Sequence, residues 1–512
     1  MTRRYYVTTP IYYVNGAPHI GHAYTSVAAD VIARFKRLAG FDVFFLTGTD
    51  EHGQKVEQAA QAAGMEPIAF ADRVAADFRD MYDKMAISYD DFIRTTEPRH
   101  AEGASALWKR LEENGHIYLG AYEGWYALRD ECFYGEDELV TGPDGTKVAP
   151  TGAAVEWVKE PSYFFRLSAF GDRLLELYEN QPGFIEPASR RNEVASFVRQ
   201  GLRDLSISRT SFNWGIPVPG DPKHVMYVWV DALANYLSAV GFPDESAARW
   251  DFWPANLHLV GKDILRFHAI YWPALLMGAG LELPRRVFSH GWWTIEGQKM
   301  SKSLGNVVDP RDLVETFGLD PVRFFLMREM PFGGDSDLSR RAIISRMNVE
   351  LANDLGNLAQ RTLSQIARNC GGVLPAQGTH TAEDTALLAP ASLLPQIMHE
   401  QIDRQALTDA LEEVWKVIRA CNAYIDHQAP WKLKKTDSAR MNDVLRVLAD
   451  ALRIIATVLQ PYMPDSMDRM LTQLGVEAGE RDFAALDTPL PEGRVLPAPQ
   501  GIFPRFVEPE AT

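Results

Sequence analysis

The stretch with the strongest fold signal is RYYVTTPIYYVNGAPHIGHAYTSVAADVIARFKRLAGFDVFFL, residues 4–46. It begins with the short aromatic and β-branched run RYYV, which is typical of a strand. Apolar residues then recur at the spacing of one helical face: Ala23, Val27, Val31 and Phe35. Gly40 can end that helix, and DVFFL is the continuous apolar run of a strand buried on both faces. The stretch therefore predicts a strand–helix–strand unit that opens a doubly wound, Rossmann-like parallel sheet.

This strand and helix pattern is interrupted along the chain. LHLVGKDILRFHAIYWPALLMGAG (257–280) predicts a strand followed by a helix, and RRVFSHGWW (285–293) predicts a further strand. The segment between them and the first unit is rich in glycine, proline and aromatic residues, with only short strand-like pieces. We therefore predict a sheet split between residues 1–114 and 226–295, with an inserted connective domain at 115–225.

Beyond about residue 340 the pattern becomes helical. Apolar residues recur every three or four positions: Ile343, Met347, Leu351, Leu355, Leu358 and Thr362. Several such helices predict an α-helical bundle at 341–475, preceded by a linking segment at 296–340 and followed by a proline-rich tail at 476–512. A chain of 512 residues has room for two or three domains.

Composition limits the class of protein. The chain is 46% hydrophobic and 23% charged, and no apolar run approaches the ~20 residues that span a bilayer. A net charge of −16 argues against indiscriminate coating of nucleic acid, although local basic runs leave room for a defined nucleic-acid partner. Three cysteines, with no signal-peptide pattern at the N-terminus, predict a reduced, cytoplasmic location.

His19, Gly21 and His22 lie in the sequence HIGH, where the loop turns into the first helix. A helix N-terminus presents unpaired N–H groups and a partial positive charge, and it therefore attracts phosphate. The two imidazoles are close enough to face one ligand, and Gly21 leaves room for a base or ribose. Taken alone, the stretch also fits an ordinary helix start with two surface histidines.

A second motif lies about 280 residues later in GQKMSKSLGN (297–306). Two lysines three residues apart, with hydroxyls and a following glycine, could close over a polyphosphate and neutralise its outer groups. The motif consists of Lys299, Met300, Ser301, Lys302 and Ser303. Alone it could be a solvated basic turn, but HIGH and KMSKS in this order indicate a shared nucleotide site.

With both motifs on a doubly wound sheet and a helical bundle behind them, the chain resembles the class I aminoacyl-tRNA synthetases. The resemblance narrows to the methionyl-tRNA synthetases through stretches along nearly the whole chain: PIYYVNGAPHIGH (10–22), TGTDEHG (47–53), YVWVDAL (227–233), GKDILRFHAIYWPA (261–274), NLAQR (357–361) and QAPW (428–431). It implies ATP-dependent attachment of L-methionine to tRNA(Met) in two steps. Methionyl-adenylate forms with release of pyrophosphate, and transfer to the 3′-terminal adenosine follows.

The resemblance also implies catalytic roles. No protein nucleophile is required, because the methionine carboxylate attacks the α-phosphate of ATP while the enzyme stabilises the developing charge. His19 and His22 would donate hydrogen bonds to the phosphates. Lys299 and Lys302 would hold the leaving pyrophosphate together with Mg²⁺. The implied ATP-binding set is completed by Gly21, Met300, Ser301 and Ser303.

Methionine needs an anion for its ammonium group and an apolar slot for its thioether. The resemblance implies that Asp50, at the carboxyl end of DVFFLTGT, binds the ammonium group, with Arg209 as the charge partner of Asp50. Ile264, His268 and Trp272 are four residues apart on one helical face, and sulfur packs well against aromatic edges. The implied slot is lined by Ile11, Tyr13, Trp229, Ala232, Leu233, Tyr236, Ile264, His268 and Trp272. The alternatives are that Asp50 only caps a turn and that the aromatic residues of the slot are ordinary core packing.

The resemblance implies that the helical bundle binds the CAU anticodon of tRNA(Met). Asn357 and Arg361 flank the apolar stripe four residues apart, which frees an amide and a guanidinium to meet bases. Trp431 follows Pro430 at a helix end, where an exposed indole could stack on an unstacked base. Packing is the alternative for a lone tryptophan.

The inserted domain departs from the family pattern, in which CxxC pairs often hold a structural zinc. In GWYALRDECFYGEDELV (124–140), the corresponding positions hold Ala127 and Asp130, and Cys132 stands alone. We therefore predict no metal site and a knuckle shape held by aromatic packing. Longer relatives append a dimerising module after the bundle, and since this sequence ends soon after it, we predict a monomer.

Three alternatives stay open at this point. A class I synthetase for leucine, isoleucine or valine would carry a larger inserted domain, and one for cysteine would hold zinc ligands in its site. A small nucleotidyltransferase with an HxGH motif would leave NLAQR and QAPW unexplained. A non-catalytic tRNA-binding paralogue would have lost the HIGH histidines or the KMSKS lysines, which this chain retains.

Overall fold

The computed structural model describes residues 3–130, 132–142, 145–299 and 306–508. Its strands are β1 Arg4–Thr8, β2 Tyr12–Tyr13, β3 Asp42–Asp50, β4 Asp91–Arg94, β5 Ile117–Ala127, β6 Cys132–Tyr134, β7 Val140–Thr141, β8 Lys147–Val148, β9 Glu156–Phe165, β10 Ile185–Glu186, β11 Leu205–Ser206, β12 Ser208–Arg209, β13 Pro217–Val218, β14 Asp221–Met226, β15 Leu257–Gly261, β16 Val287–His290, β17 Trp293–Ile295, β18 Gln298–Lys299 and β19 Ser336–Leu338. Its helices are α1 Ile20–Leu38, α2 Gln54–Ala62, α3 Pro67–Lys84, α4 Pro98–Glu113, α5 Gly171–Asn180, α6 Ala188–Arg199, α7 Val228–Ser238, α8 Trp272–Ala279, α9 Pro310–Phe317, α10 Leu319–Arg328, α11 Arg340–Arg346, α12 Asn357–Asn369, α13 Ala382–Asp403, α14 Leu407–Gln428, α15 Pro430–Thr436, α16 Ser438–Leu459 and α17 Pro464–Gln473.

Seven strands form one parallel sheet in the order β10-β16-β15-β1-β3-β2, with β4 also paired to β3. The central strand β3 places Phe45 opposite Val7 of β1 and Leu46 opposite Asp91 of β4. From Val43 onward β3 is buried, which explains its uninterrupted apolar run. The predicted doubly wound sheet is confirmed.

Helix α1 crosses from β2 to β3 and packs its apolar face against the sheet, with Val27, Val31 and Phe35 fully buried. It ends at Leu38, and Gly40 adopts a φ of 77°, a left-handed conformation that glycine takes at low steric cost. Because α1 starts beyond the carboxyl end of β1, its N-terminus lies at the edge of the sheet where ligands bind in such folds.

The inserted segment forms a four-stranded antiparallel sheet, β11-β9-β5-β6, around the long pair β5 and β9. The predicted limits of this insertion, 115–225, are too wide. Strand β10 lies within them, yet it pairs in parallel with β16 and forms the edge of the main sheet. A strand of two residues carries too little periodic signal to be assigned from the sequence.

Aromatic and polar contacts hold the knuckle-like turn of the inserted sheet. Tyr126 packs against Phe133 with ring centroids 4.7 Å apart. Asp130 accepts hydrogen bonds from the hydroxyl groups of Tyr134, at 3.0 Å, and Thr151. In the ranges that the structure describes, no three histidine, cysteine, aspartate or glutamate side chains are grouped so as to hold a metal ion.

Helices α11 to α17 form the predicted bundle. The residues of the predicted apolar stripe are all buried: Ile343, Met347, Leu351, Leu355, Leu358 and Thr362. Helices α13, α14 and α16 pack together, and the tail returns over the bundle and buries Leu490, Leu496 and Ile502. Among the described residues, none of the helices combines the length and apolarity needed to cross a bilayer.

A buried ion pair joins helix α1 to the start of the helical part. Arg323 of α10 is fully buried and donates to Asp30 of α1 at 2.6 Å. The same guanidinium donates to the backbone carbonyl groups of Met85, Pro461 and Tyr462. These bonds fix α1, and with it the HIGH stretch, relative to the turn between α16 and α17.

Candidate active site

A cavity of about 640 Å³ opens at the carboxyl ends of β1, β3, β15 and β16. Its wall is formed by residues that follow these strands, by the start of α1 and by residues of α7. The predicted ligand residues that line it are Ile11, Tyr13, His19, Gly21, His22, Asp50, Trp229, Ala232, Leu233, Tyr236, Ile264 and His268. The structure thus brings together residues up to about 250 positions apart, while the role of each stays a prediction.

His19 and His22 cap the start of α1 reciprocally. Nδ1 of His19 accepts a hydrogen bond from the backbone N–H of Gly21 at 3.2 Å, and Nδ1 of His22 accepts one from the backbone N–H of His19 at 3.1 Å. The two rings stack with centroids 3.7 Å apart. Since Nδ1 accepts in both rings, these hydrogen bonds assign the ring hydrogen to Nε2. Both Nε2–H groups are donors suited to phosphate oxygens beside the helix N-terminus.

Two consecutive carboxylates follow the body of β3, and they have different surroundings. Asp50 lines the cavity. Glu51 accepts hydrogen bonds from the guanidinium of Arg94 at 2.6 and 3.0 Å and from the hydroxyl of Thr49 at 2.7 Å. The charge of Glu51 is therefore neutralised within the fold, and Asp50 is the carboxylate that the strand delivers to the cavity.

Arg209 does not have the predicted place beside Asp50. It is buried, and its Nη1 donates to the backbone carbonyl of Ser208 at 2.6 Å. Its guanidinium lies 4.4 Å from the ring centroid of Phe133 and 4.6 Å from that of Tyr227. Nε and Nη2 have no hydrogen-bond partner in the described part of the chain, so the predicted ion pair is absent. Arg209 instead anchors the inserted sheet, because its flat cation fits between aromatic rings.

The aromatic wall of the cavity is held by hydrogen bonds of defined direction. Nδ1–H of His268 donates to the carbonyl of Ile264 at 3.0 Å, so Nε2 accepts from the hydroxyl of Tyr236 at 2.8 Å. Burial lowers the pKa of His268 to about 4, and the ring is neutral at pH 7. A neutral imidazole does not repel the ammonium group of an amino acid.

Trp272 lies behind this wall, which corrects the prediction that it lines the slot. It is fully buried and is absent from the described lining of the cavity. Its Nε1–H donates to Nε2 of His258 at 3.2 Å, and Nδ1–H of His258 donates to the hydroxyl of Thr8 at 2.8 Å. A buried indole N–H needs an acceptor, and His258 supplies one below the pocket. Trp272 therefore supports Tyr236, with ring centroids 5.9 Å apart.

Several residues of the site were not identified from the sequence. Phe267 stacks on Trp229 with centroids 3.7 Å apart and planes within 6°. The sequence carries no signal for this pair, because it depends on the packing of the β15–α8 segment against α7. Phe267 supports Trp229 from outside the cavity lining, whereas the unpredicted lining residues include Arg129, Asp130, Thr151, His290 and Trp292. His290 and Trp292 follow a parallel strand, and that position is the signal by which they could have been found.

The KMSKS stretch is described only at its first residue. The backbone of Lys299 pairs with that of Thr294 in β17, and Thr294 lines the cavity. The strand therefore brings the chain to the cavity edge just before the motif continues. Outside the described residues lie Met300, Ser301, Lys302 and Ser303.

The predicted anticodon residues lie at the surface of the bundle. Asn357 is exposed at the start of α12, Arg361 follows one turn later, and Trp431, 39% exposed, lies in the first turn of α15. The guanidinium of Arg361 lies 5.3 Å from the indole centroid of Trp431 and pairs with Asp426. A planar cation and an indole therefore share one accessible surface.

A helix start suited to phosphate at the ligand edge of a parallel sheet, followed by a helical bundle, is the arrangement expected of a class I aminoacyl-tRNA synthetase. The family profile described as "tRNA synthetases class I (M)" matches residues 5–363, and the profile "Anticodon binding domain of methionyl tRNA ligase" matches residues 374–511. The chain belongs to the methionyl-tRNA ligase family.

Relatives and solved structures agree with this assignment. The chain is 55% identical over 506 residues to the methionine–tRNA ligase of Brucella suis biovar 1 (strain 1330), covering 99% of this chain and 98% of that protein. The methionyl-adenylate complex of Mycobacterium tuberculosis methionyl-tRNA synthetase superimposes with a TM-score of 0.97 at 52% identity, covering 98% of this chain and 100% of that one. The apo form of that enzyme superimposes with a TM-score of 0.91 at 48% identity, covering 99% of each chain.

Proposed function

We propose that the chain attaches L-methionine to tRNA(Met) in two ATP-dependent steps through methionyl-adenylate. The observation that carries this proposal is a cavity lined by the start of α1, by the Asp50 carboxylate and by an aromatic wall. A 52% identical protein from M. tuberculosis has been solved with methionyl-adenylate, a compound that joins a methionyl group to the phosphate of AMP.

In the first step, a carboxylate oxygen of methionine attacks the α-phosphorus of ATP, and the bond to the β-phosphate oxygen breaks. His19 and His22 donate Nε2–H hydrogen bonds to phosphate oxygens whose charge increases in the transition state. Lys299 and Lys302 neutralise the departing pyrophosphate. ATP enters as its magnesium complex, in which the phosphates and water supply oxygen ligands to Mg²⁺.

Asp50 receives the ammonium group of methionine, and the thioether lies against the aromatic wall. The neutral state of His268 supports this arrangement, since a cation there would oppose the substrate ammonium. Tyr13 and Trp229 both line the cavity, with ring centroids 6.4 Å apart at 84°, and aromatic rings offer sulfur favourable contacts. Shape alone discriminates by only about 1–3 kcal/mol per methylene, so these contacts contribute to selection against leucine and isoleucine.

In the second step, a hydroxyl group of the 3′-terminal adenosine attacks the methionyl carbonyl, and AMP leaves. The bundle selects the tRNA, and Asn357, Arg361 and Trp431 bind the bases of the CAU anticodon. The contact between the half-buried Arg361 and the exposed Trp431 supports this role, because unstacked bases bind to aromatic and guanidinium planes.

The proposal also includes that the chain is a monomer and that it is located in the cytoplasm. The three cysteines are free thiols, which suits a reducing compartment, and burial raises the pKa of Cys132 and Cys421 to about 12, which makes these thiols unreactive. Sedimentation of the purified protein tests the monomeric state, and a salt-stable dimer would contradict it.

Pyrophosphate exchange measured with each of the twenty amino acids tests the activity. We expect exchange with methionine alone. Lys302→Ala should abolish exchange and leave methionine binding intact, because the lysine acts on the leaving group. Lys109→Ala, at an exposed lysine of α4, is the matched control and should exchange like the wild type. Binding of tRNA without exchange by any amino acid would point to a non-catalytic paralogue instead.

A further inference from the structure

His52, Asp231 and His100 form an enclosed His–Asp–His cluster next to the cavity. Oδ2 of Asp231 accepts a hydrogen bond from Nδ1 of His52 at 2.7 Å, and Oδ1 accepts one from Nε2 of His100 at 2.6 Å. Asp231 and His100 are fully buried, and His52 is 8% exposed. None of the three side chains has a place in the chemistry described above.

The cluster joins three elements that are distant in sequence. His52 follows Asp50 of β3 by two residues, His100 lies in the first turn of α4, and Asp231 lies in the first turn of α7. Helix α7 also carries part of the amino-acid pocket: Trp229, Ala232, Leu233 and Tyr236. One carboxylate therefore connects the segment that presents Asp50 to the helix that forms the pocket wall.

The connection is strong because the carboxylate is charged. Burial raises the pKa of Asp231, but the nearby His52 and the hydrogen bonds from both imidazoles outweigh burial and lower it to about 2. A buried carboxylate with two short hydrogen bonds has little freedom to move, and removing either donor would leave its charge poorly compensated. Nδ1 of His100 has no partner in the described ranges, so this ring is held through Asp231.

The loop after β3 is held from its other side as well. Nε1–H of Trp214 donates to the carbonyl of Glu51 at 2.6 Å, and the backbone N–H of Gly53 donates to the carbonyl of Trp214 at 3.0 Å. The ring of His52 meets Trp214 edge-on, with centroids 5.4 Å apart. The cluster therefore ties α7 to a loop that is itself fixed.

We propose that Asp231 is a positioning residue for methionine, which sets the spacing between the Asp50 carboxylate and the pocket wall on α7. The proposal rests on the proposed function. An amino acid bound at its ammonium group and at its side chain tolerates little error in that spacing. The residues proposed to bind phosphate, His19 and His22, lie at the start of α1 and not in α7. Loosening α7 should therefore weaken methionine binding and leave ATP binding nearly unchanged.

Asp231→Asn tests this inference in pyrophosphate exchange. The substitution keeps the shape of the side chain but removes the charge and turns an N–H₂ group towards one imidazole donor. We expect the KM for methionine to rise at least 10-fold and the KM for ATP to stay within 2-fold. Asp384→Asn is the matched control, because Asp384 is equally buried and accepts from Arg440, but in the bundle. It should leave both KM values within 2-fold.

His52→Ala is the second variant, because it breaks the link to the loop and leaves Asp231 bound to His100. We expect at least a 5-fold rise in the KM for methionine. If Asp231→Asn does not fold, the KM values of His52→Ala test the proposal. An unchanged methionine KM, or equal rises for methionine and ATP, would overturn the proposal. A wild-type protein without methionine-dependent exchange would overturn the proposed function instead.

Discussion

Replacing His268 by glutamine tests the neutral state of the imidazole in the pocket. Burial lowers the pKa of His268 from its ordinary value of 6.5 to about 4, so between these values the unfolded chain binds a proton that the folded chain does not. The free energy of unfolding is therefore unaffected by this group above pH 6.5 and falls as the pH decreases towards 4. At 1.36 kcal/mol per pH unit the full loss is about 3 kcal/mol, of which about 2 kcal/mol falls between pH 7 and pH 4.5.

Glutamine suits the comparison because its amide can accept from the hydroxyl of Tyr236 and donate to the carbonyl of Ile264, as His268 does. Urea unfolding followed by tryptophan fluorescence measures the free energy at each pH. Ten of the twelve tryptophans precede residue 340, so the signal reports mainly on the catalytic part. We expect the decrease between pH 7 and pH 4.5 to be about 2 kcal/mol smaller in His268→Gln than in the wild type.

The control is His427→Gln, which removes an exposed histidine of α14. Its unfolding free energy should change with pH as that of the wild type does. Asp231 titrates below the interval from pH 7 to pH 4.5, and His258 is present in all three proteins. Neither residue therefore causes a difference between the variants and the wild type. Equal decreases in His268→Gln and the wild type would refute the reasoning, because His268 would then bind its proton equally well in the folded chain.

Three further outcomes are expected. Arg323→Met should lower the free energy of unfolding by about 3 kcal/mol in urea, the lower end for a broken buried pair, because Arg34 still neutralises Asp30; a change near zero would contradict this. Trp431→Ala should raise the KM for tRNA roughly 10-fold or more through lost stacking, and altered methionine-dependent exchange would count against a role confined to tRNA. Elemental analysis should find no stoichiometric zinc, and EDTA should leave the thermal midpoint unchanged; one tightly held zinc per chain would refute the zinc-less knuckle.

Much of the fold was predictable because its signals are local. The spacing of Val27, Val31 and Phe35 and the position of Gly40 describe α1 without reference to the rest of the chain. The apolar run of β3 shows that both its faces are covered. The HIGH stretch likewise combines a helix start with two imidazoles, and the geometry of a helix N-terminus then implies an affinity for phosphate.

The misplaced residues share a different property. Arg209 and Trp272 were placed by resemblance, and strand β10 went unrecognised within the predicted insertion; the true neighbours of all three are distant in sequence. Arg209 lies near the rings of Phe133 in the inserted sheet and of Tyr227 just before α7, and the indole N–H of Trp272 is satisfied by His258. No spacing along the chain reports which acceptor a buried donor will meet.

The linear order of residues was therefore enough to predict helix α1, the parallel sheet and the helical bundle, since each follows from periodicity or from neighbouring residues. The pairing of Asp231 with His52 and His100, 179 and 131 positions away, arose only when the chain folded. Buried polar groups must find partners, and those partners are chosen by packing in three dimensions, where distance along the polymer has no influence.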